Sequence, residues 1–404
     1  MSHVVIIGGG HAGSQLISSL RQHKFSGRIT LIADEKALPY NRPSLSKDFL
    51  SGEKTEHQIA LLPDAVFASD NINCMLNTTV TQLNPNSNSI RLSDGSNLNY
   101  DYLVIATGSV PRQLDIPGSD LKGIHYLKTL NDAKNLQADI KNANKMVVVG
   151  GGYIGLEIAA TARKKGLDVT ILEMAPRILQ RVVAPEVSDF FMRIHTEQDV
   201  NIVTNISAQA FKGRSHVKQV VASDGQSFNA DIVVIGVGVI PNDALAHAAG
   251  LVCDNGILVN EYCQTTQDNI FATGDCTNHF NQVYGRRVRL ESVQNAVDQA
   301  KTIASCIVGN KKAYNSIPWF WSSQYNLKLQ IAGLSQGYDQ LVIRGDATSD
   351  SVSFFYLKER RVIACDAVNQ VSDFMSSKKL IERKIIVDPA QLISTEVAIK
   401  SLIE

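Results

Sequence analysis

The sequence contains no closely spaced pair of cysteines. Its six cysteines, at positions 74, 253, 263, 276, 306 and 365, form neither a CxxC nor a CxxxxC pair. This spacing argues against a disulfide framework, a cysteine metal site and a dithiol redox centre. The histidines are scattered, so we expect no metal site. The favoured interpretation is a set of reduced thiols in a cytoplasmic protein.

An excess of charge of either sign is also absent. Lysine plus arginine and aspartate plus glutamate each number 39, so the formal net charge is zero. That balance gives no support for binding to nucleic acid or to an anionic membrane. The most apolar stretches, such as residues 231–241, are too short and too glycine-rich to cross a bilayer. The N-terminus indicates a strand entering a glycine turn, and we expect no signal peptide.

An internal repeat is the main feature that the sequence does contain. VVIIGGGHAG (4–13) recurs as MVVVGGGYIG (146–155), and each copy precedes a helical pattern and a second apolar run. The second runs end in acids, Asp34 and Glu173. A strand, a glycine turn, a helix and a later acid form the dinucleotide-binding βαβ unit. The repeat therefore predicts two such α/β domains in a chain too long for a single core.

Each loop has three glycines with different expected roles. They are Gly8, Gly10 and Gly13 in the first loop and Gly150, Gly152 and Gly155 in the second. The first glycine permits a tight turn, the second lets the backbone approach a pyrophosphate, and the third lets helix and strand pack closely. Two complete loops predict two dinucleotides, one a tightly held flavin and the other an exchangeable nicotinamide.

The acid of the second unit bears on the choice of nicotinamide. A carboxylate at Glu173 accepts hydrogen bonds from a ribose 2′-hydroxyl and repels a 2′-phosphate, which favours NADH over NADPH. Arg177 stands four residues later. A cation at that distance leaves open how strictly NADPH is rejected.

Six motifs, spread over essentially the whole chain, carry a family resemblance. They are LPYNRPSLSKDFL (38–50), YDYLVIATGSVPR (100–112), GGGYIGLEIAA (150–160), FATGDC (271–276), RLESVQNAVDQA (289–300) and PWFWSSQYNLKLQIAGL (318–334). With these motifs the chain resembles the FAD-dependent NADH:ferredoxin (putidaredoxin or rubredoxin) reductases of bacterial oxygenase systems. The first and last motifs are more specific than any glycine loop.

The resemblance implies a fold and a domain plan. It implies two Rossmann-like domains of the glutathione-reductase type and a C-terminal α+β domain, in agreement with the change to an antiparallel pattern after Pro318. We predict a discontinuous FAD domain at 1–110 and 236–314 and an NAD domain at 111–235. We place the C-terminal domain, as flavin cover and partner interface, at 315–404.

The motifs and the resemblance together assign cofactor contacts. Those to FAD are Gly8, Gly10, Ala12, Gly13, Asp34, Arg42, Lys47, Val80, Thr107, Gly108, Lys128, Asp275, Val293 and Trp321. Those to NAD are Gly150, Gly152, Ile154, Gly155, Glu157, Glu173 and Gly238. Lys128 replaces a usual arginine of the family and lacks its bidentate fork.

The resemblance also implies the chemistry. Disulfide reductases of this architecture carry a redox cysteine pair where this chain has RPSLSKDF, so electrons must leave the flavin edge directly. Lys47 stands at that position, and the resemblance pairs it with Glu157 as the catalytic pair. A lysine ammonium near flavin N5 stabilises the anionic reduced ring. We expect hydride transfer from NADH to FAD, followed by single-electron transfer to a small ferredoxin or rubredoxin.

Two other functions fit parts of the pattern. An interaction protein of the apoptosis-inducing-factor type would use its flavin as a conformational element, and turnover with a ferredoxin would argue against it. An NADH oxidase would consume oxygen without a carrier, and the missing cysteine argues against it. For the reductase, Arg286, Arg287 and Lys301 are the candidate local cations that would steer an acidic ferredoxin.

Overall fold

Two units make up the chain, which a computed structural model describes at residues 1–69 and 71–403. Unit 1 consists of Met1–Arg42, Thr55–Val110 and Val239–Ser316. Unit 2 consists of Pro43–Lys54, Pro111–Gly238 and Ile317–Glu404. The division into three domains remains a prediction. In the structure, Pro43–Lys54 packs with unit 2 rather than with the residues that flank it in sequence.

A five-stranded parallel sheet forms the centre of unit 1. Its strands, in order across the sheet, are Ile270–Ala272, Tyr102–Ile105, His3–Ile7, Arg28–Ile32 and Ile72–Met75. The first strand of the chain lies in the middle because its run HVVII is apolar from Val4 to Ile7 and is buried on both faces. Parallel strands covered on both sides have this composition. The strand order reverses at the first strand, and open α/β sheets bind ligands beyond the carboxyl ends of strands at such a point.

Two long helices cover one face of this sheet, His11–Gln22 and Val293–Ile307. The other face is covered by an antiparallel sheet of Val80–Asn84, Ser89–Leu92 and Asn97–Asn99. Further strands are Ile257–Val259, Thr277–Asn281 and Arg286–Val288. Short helices lie at His57–Ile59, Asp64–Phe67, Pro85–Ser87, Ala244–Ala248 and Gly274–Cys276.

Unit 2 contains a second parallel sheet of five strands. They are, in order, Val200–Val203, Asp168–Leu172, Lys145–Val149, Ile232–Ile235 and Ile124–His125. Its helices are Leu130–Ile140, Tyr153–Lys164 and Pro185–Glu197. An antiparallel sheet of Ala208–Gly213, Val217–Ala222 and Ser227–Asn229 packs on the opposite face. Short strands Ser109–Pro111 and Val239–Pro241 occur where the chain passes from one unit to the other.

The C-terminal part of unit 2 is a five-stranded antiparallel sheet. Its strands, in order, are Trp319–Gln324, Leu327–Gly333, Arg361–Val368, Val352–Lys358 and Gln340–Gly345. Helix Val371–Arg383 packs on it, and Pro389–Ile393 and Ile399–Leu402 follow. Two further short helices are Arg42–Ser46 and Asp48–Ser51. One hydrophobic cluster joins this sheet to the helices around the second parallel sheet.

The predicted fold class is confirmed. Each glycine turn follows the central strand of a parallel sheet and opens a helix, and an antiparallel sheet with helices ends the chain. Among residues 1–69 and 71–403 no helix is long and apolar enough to cross a membrane. The same residues contain no group of three or more ligands that could hold a metal ion.

Candidate active site

In the first glycine loop, in unit 1, two glycines are required by packing within the protein, and a third has open space beside it. A Cβ on Gly8, which has a φ of +123°, would lie 2.1 Å from the Ala106 carbonyl oxygen. A Cβ on Gly13 would lie 2.3 Å from the Gly8 carbonyl oxygen. At Gly10, by contrast, the nearest atom is Arg42 Nε at 3.8 Å. The fold therefore requires Gly8 and Gly13, while Gly10 leaves room for a group from outside.

The second loop repeats this division. A Cβ on Gly150 would lie 2.5 Å from the Gly236 carbonyl oxygen, and one on Gly155 would lie 2.2 Å from the Gly150 carbonyl oxygen. A Cβ on Gly152 would meet no atom within 4 Å. Gly10 and Gly152 are the N-caps of their helices and supply no side-chain cap. Both loops thus present open helix N-termini, which fit the pyrophosphate of a dinucleotide.

Several other predicted FAD residues lie near the first loop. A Cβ on Gly274 would be 3.8 Å from Ala12 Cβ, so the turn that carries Asp275 lies next to the start of the first helix. The Asp275 carboxylate accepts a hydrogen bond from Ser109 Oγ at 2.9 Å. Thr107 Oγ1 donates to the Asn242 carbonyl oxygen at 2.6 Å.

The remaining predicted FAD residues of unit 1 include two that open elements. Val80 and Val293 are the first residues of a strand and of a helix, respectively. Gly108 has a φ of +69° and open space where a Cβ would be. Its conformation is one that favours glycine, and the free volume beside it can admit a ligand.

Asp34 is exposed at the end of its strand, as a ribose ligand requires. Sequence reasoning missed its neighbour Glu35. The Glu35 carboxylate binds Arg42 with an N–O distance of 2.6 Å and accepts the Tyr40 hydroxyl at 2.6 Å. Arg42 therefore reaches the loop region already paired, and its position is set by this carboxylate.

In unit 2, the Glu173 carboxylate is bound to its own loop. Oε2 accepts the Gly151 N–H at 2.6 Å, and Oε1 accepts the Ala175 N–H at 2.8 Å. Because two backbone groups fix it, the negative charge has a defined place beside the second glycine loop. Of the other predicted NAD residues, Ile154 is 46% exposed in the first turn of the helix, and Gly238 has a φ of +103°.

Arg177 does not turn toward Glu173. Its guanidinium donates to the carbonyl oxygens of Val183 and Gln180, at 3.0 and 3.1 Å, and to Ser188 Oγ at 2.5 Å. The sequence left open whether this cation would offset Glu173. In the structure its hydrogen bonds hold the loop that follows the acid.

Lys47 and Glu157 meet, as the resemblance implied. Lys47 Nζ lies 2.5 Å from Glu157 Oε2, and the Glu157 side chain is only 4% exposed. Two hydroxyls complete the carboxylate, because Ser46 Oγ donates to Oε2 and Ser322 Oγ to Oε1, each at 2.6 Å. A buried carboxylate with three donors satisfies the requirement that buried charges be paired and hydrogen-bonded.

Helix Tyr153–Lys164 positions this carboxylate. Glu157 and Thr161 are one turn apart and face the same side of the helix. Thr161 Oγ1 donates to the Ser46 carbonyl oxygen at 2.9 Å, so both side chains of this face bind the segment that carries Lys47. Ser46, Thr161 and Ser322 were not predicted. Ser46 and Ser322 do stand inside the two most specific motifs, but nothing in the motifs says that they share a carboxylate.

Trp321 lies on strand Trp319–Gln324, next to Ser322. Side chains alternate along a strand, so Trp319 and Trp321 share one face and Phe320 and Ser322 the other. The centroids of the two tryptophan rings are 5.6 Å apart, and those of the Phe320 and Tyr153 rings are 4.9 Å apart. Trp321 is partly exposed on its face of the strand.

The last predicted FAD residue, Lys128, is partly buried just before helix Leu130–Ile140. Its backbone N–H donates to Asp132 Oδ2 at 3.1 Å, alongside the capping box of that helix. This bond fixes the backbone of Lys128 and leaves the role of its ammonium a prediction.

None of the six thiols has the low pKa of a redox cysteine. Burial raises the pKa of every one of them, that of Cys253 to about 11. All six are free cysteines. Because the thiolate is the reactive form, none is poised to relay electrons by thiol chemistry near neutral pH.

Comparison with known proteins identifies similar reductases. The chain is 41% identical to putidaredoxin reductase from Pseudomonas putida, over 99% of this chain and 96% of that one. It is 40% identical to rhodocoxin reductase from Rhodococcus erythropolis, over 98% and 93% of the two chains. The crystal structure of the covalent putidaredoxin reductase–putidaredoxin complex matches with a TM-score of 0.97 at 41% identity, over 100% of this chain and 98% of that chain.

Family models match both parts of the chain. The model described as reductase C-terminal covers residues 319–403. The model of the pyridine nucleotide-disulphide oxidoreductases covers residues 2–300, which include both glycine loops, Lys47 and Glu157. The family resemblance predicted from the motifs is thereby confirmed. The chain belongs to the pyridine nucleotide-disulphide oxidoreductase family.

Proposed function

We propose that this chain is an FAD-dependent NADH:ferredoxin reductase that serves an oxygenase system, with rubredoxin as the alternative acceptor. The observation that carries the proposal is the buried Lys47–Glu157 pair, because its lysine stands in the segment where disulfide reductases of this architecture hold their redox cysteines. The six thiols of raised pKa support the same conclusion, because they leave no dithiol route for the electrons. The reductases similar to this chain bear names of the same activity.

The residues of the two loops fit the cofactors. In unit 1, FAD would be held by the open helix start at Gly10 and by Asp34, Arg42, Thr107 and Asp275. In unit 2, NADH would be held at Gly152 and by Glu173. When bound, FAD accepts a hydride from NADH and releases the electrons one at a time.

The protein's own part is positioning and charge. Lys47 holds a positive charge at a place fixed by Glu157, and a fixed ammonium stabilises negative charge that develops beside it. Glu157 cannot turn away, because Ser46 and Ser322 bind its two oxygens. Glu173 selects the ribose hydroxyl of NADH by accepting a hydrogen bond that a 2′-phosphate cannot donate.

The same features support a location and an acceptor class. Six free cysteines and the use of NADH support a cytoplasmic protein. A small iron–sulfur protein is a suitable acceptor, because it can take single electrons directly from a flavin edge. Trp321, on the partly exposed face of its strand, is the side chain that we place between flavin and partner.

The test uses the purified full chain with putidaredoxin as the probe acceptor. Flavin released by heat should be FAD, and NADH should reduce it in anaerobic stopped flow. Cytochrome c reduction should depend on added putidaredoxin, and oxygen consumption without a carrier should be slow. Finding FMN, or fast oxygen consumption that is indifferent to putidaredoxin, would contradict the proposal.

A further inference from the structure

The hydrogen bonds around Glu157 continue beyond Ser322 into the interior of unit 2. Gln324 Nε2 donates to Ser322 Oγ at 3.2 Å. Gln324 Oε1 lies 2.8 Å from His195 Nε2, and His195 Nδ1 lies 3.2 Å from the Tyr325 hydroxyl. Ser322, Gln324 and His195 are each 2% exposed or less. Starting at Tyr325, four buried or partly buried bonds lead to the carboxylate that holds Lys47.

Every bond in this chain points the same way. An amide oxygen only accepts, so His195 Nε2 must carry the hydrogen that it shares with Gln324. Burial lowers the pKa of His195 to about 4, so the ring is neutral near pH 7 and Nδ1 is an acceptor. Tyr325 therefore donates to His195, His195 to Gln324, Gln324 to Ser322, and Ser322 to Glu157. Aligned donors polarise one another, and the polarisation here strengthens the last bond, to the carboxylate.

We propose that Ser322, Gln324 and His195 are positioning residues for the Lys47–Glu157 pair, acting through one directed hydrogen-bond chain. The inference rests on the proposed function, since it takes Lys47 to act on the flavin. This series of hydrogen bonds does not conduct protons along its length, because the Gln324 amide cannot pass a proton without losing its resonance. Its effect is to hold the Glu157 carboxylate, and with it the ammonium of Lys47, in one place.

The same chain also fixes the strand that carries Trp321. Ser322 and Gln324 lie two residues apart on the buried face of strand Trp319–Gln324, and Trp321 lies between them on the other face. Glu157 thus binds Lys47 through one oxygen and the tryptophan-bearing strand through the other. We infer that the place of the cation and the place of the tryptophan are set together by this one carboxylate.

The test compares five variants of the FAD-loaded full chain by flavin midpoint potential, NADH stopped flow and thermal unfolding. Ser322→Ala and Gln324→Leu should shift the potential in the negative direction, as is expected for Lys47→Met, and slow flavin reduction by roughly 3- to 10-fold. Ser322→Thr should restore both, because it keeps the hydroxyl. Ser323→Ala, one residue along on the opposite face, is the matched control and should change neither.

The outcomes separate this inference from the proposed function. If Lys47→Met shifts the potential while Ser322→Ala and Gln324→Leu do not, the chain has only a structural role and the inference fails alone. If Lys47→Met itself has no effect, the proposed role of the pair fails as well.

Nitrogen-15 spectra of the holoenzyme, assigned with His195→Gln, give a second readout. They should show a neutral His195 protonated at Nε2 at about pH 6, and a charged ring or the other tautomer would overturn the direction of the chain.

Discussion

The Tyr356 hydroxyl donates a hydrogen bond to Asp366 at 2.5 Å, inside the C-terminal sheet of unit 2. Asp366 is 1% exposed, and the structure shows no cation within ion-pair distance of it among the described residues. Burial raises the pKa of Asp366 to about 7, although the Tyr356 bond opposes this rise. The folded protein therefore keeps a proton on this carboxyl over a range where the unfolded chain has lost it.

This carboxyl should make stability depend on pH. Between about pH 4 and 7 the folded state binds more protons than the unfolded state, so the free energy of unfolding falls as pH rises, by up to ~1.4 kcal/mol per pH unit. Asp366→Asn should flatten that slope, measured as the urea midpoint at several pH values. Asp120→Asn, at an exposed aspartate, is the control and should leave the slope unchanged. An identical slope in Asp366→Asn would show that this group does not titrate in the range.

Removing the charge of Lys47 should affect the flavin. Lys47→Met should lower the flavin midpoint potential and slow reduction by NADH roughly 10-fold or more, because a fixed cation stabilises the anionic reduced ring. Lys54→Met is the matched control, since Lys54 belongs to the same segment but forms a surface ion pair with Asp48 at 2.7 Å. Dye-equilibrated titration and stopped flow measure the two effects. Equal potentials in both variants would place Lys47 away from the ring.

The two kinds of glycine in the second loop should respond differently to alanine. At Gly152 the φ of −83° suits alanine and the Cβ enters open space, so Gly152→Ala should fold normally and raise the KM for NADH roughly 10-fold. At Gly155 the Cβ would lie 2.2 Å from a backbone oxygen, so Gly155→Ala should lower the thermal midpoint. Steady-state kinetics and thermal scans of both variants distinguish the roles. A normal KM in Gly152→Ala would argue against pyrophosphate at this loop.

Coenzyme choice should depend on both Glu173 and the bonds of Arg177. Glu173→Ala should lower kcat/KM for NADH roughly 10-fold, because it removes the acceptor for the ribose hydroxyls. Its gain with NADPH should be small, since Ser188 and two carbonyl groups hold the Arg177 guanidinium. Adding Ser188→Ala should loosen Arg177 and enlarge the gain. A wild type with the higher kcat/KM for NADPH would refute the assignment of Glu173.

Binding of the acceptor should depend on local cations in unit 1. Arg286 and Arg287 are exposed on strand Arg286–Val288, and Lys301 is exposed beside Asp298 at 3.5 Å. Arg287→Glu should raise the KM for putidaredoxin and flatten its salt dependence, because exposed charges act mainly on association. Turnover with ferricyanide should stay near normal. If reversal of all three charges leaves the salt dependence unchanged, the acceptor docks elsewhere.

Local patterns in the sequence predicted the parts of the site that local structure creates. The roles of Gly8, Gly13, Gly150 and Gly155 follow from the path of a strand into a helix, which a short stretch of sequence encodes. The pairing of Lys47 with Glu157 was available only through the family resemblance, because 110 residues separate them. Arguments from spacing alone cannot detect contacts of that range.

The hydrogen-bond partners of several side chains could also not be predicted from the sequence. Asp34 and Arg42 were predicted as FAD contacts, but the binding of Arg42 by Glu35 was not predicted, because only the packed loop decides which of two adjacent carboxylates turns inward. Arg177 binds carbonyl groups of its own loop, although spacing suggested a cation close to Glu173. The bonds of Ser322 and Gln324 depend on a strand of the C-terminal sheet meeting a helix of the second parallel sheet. They lie in a motif that is specific to the family, but the motif does not indicate which residues they bind.

The order in which the Glu157 partners leave the ribosome has a kinetic consequence. Lys47 precedes Glu157 by 110 residues, and Ser322 follows it by 165. At synthesis rates of ~5–20 residues per second, Lys47 emerges roughly 15–55 seconds before Ser322. During that interval Glu157 can bind Lys47 and Ser46, but the hydroxyl that binds its other oxygen has not yet been synthesised. Unit 2 can therefore complete the hydrogen bonds of this carboxylate only after Ser322 has emerged.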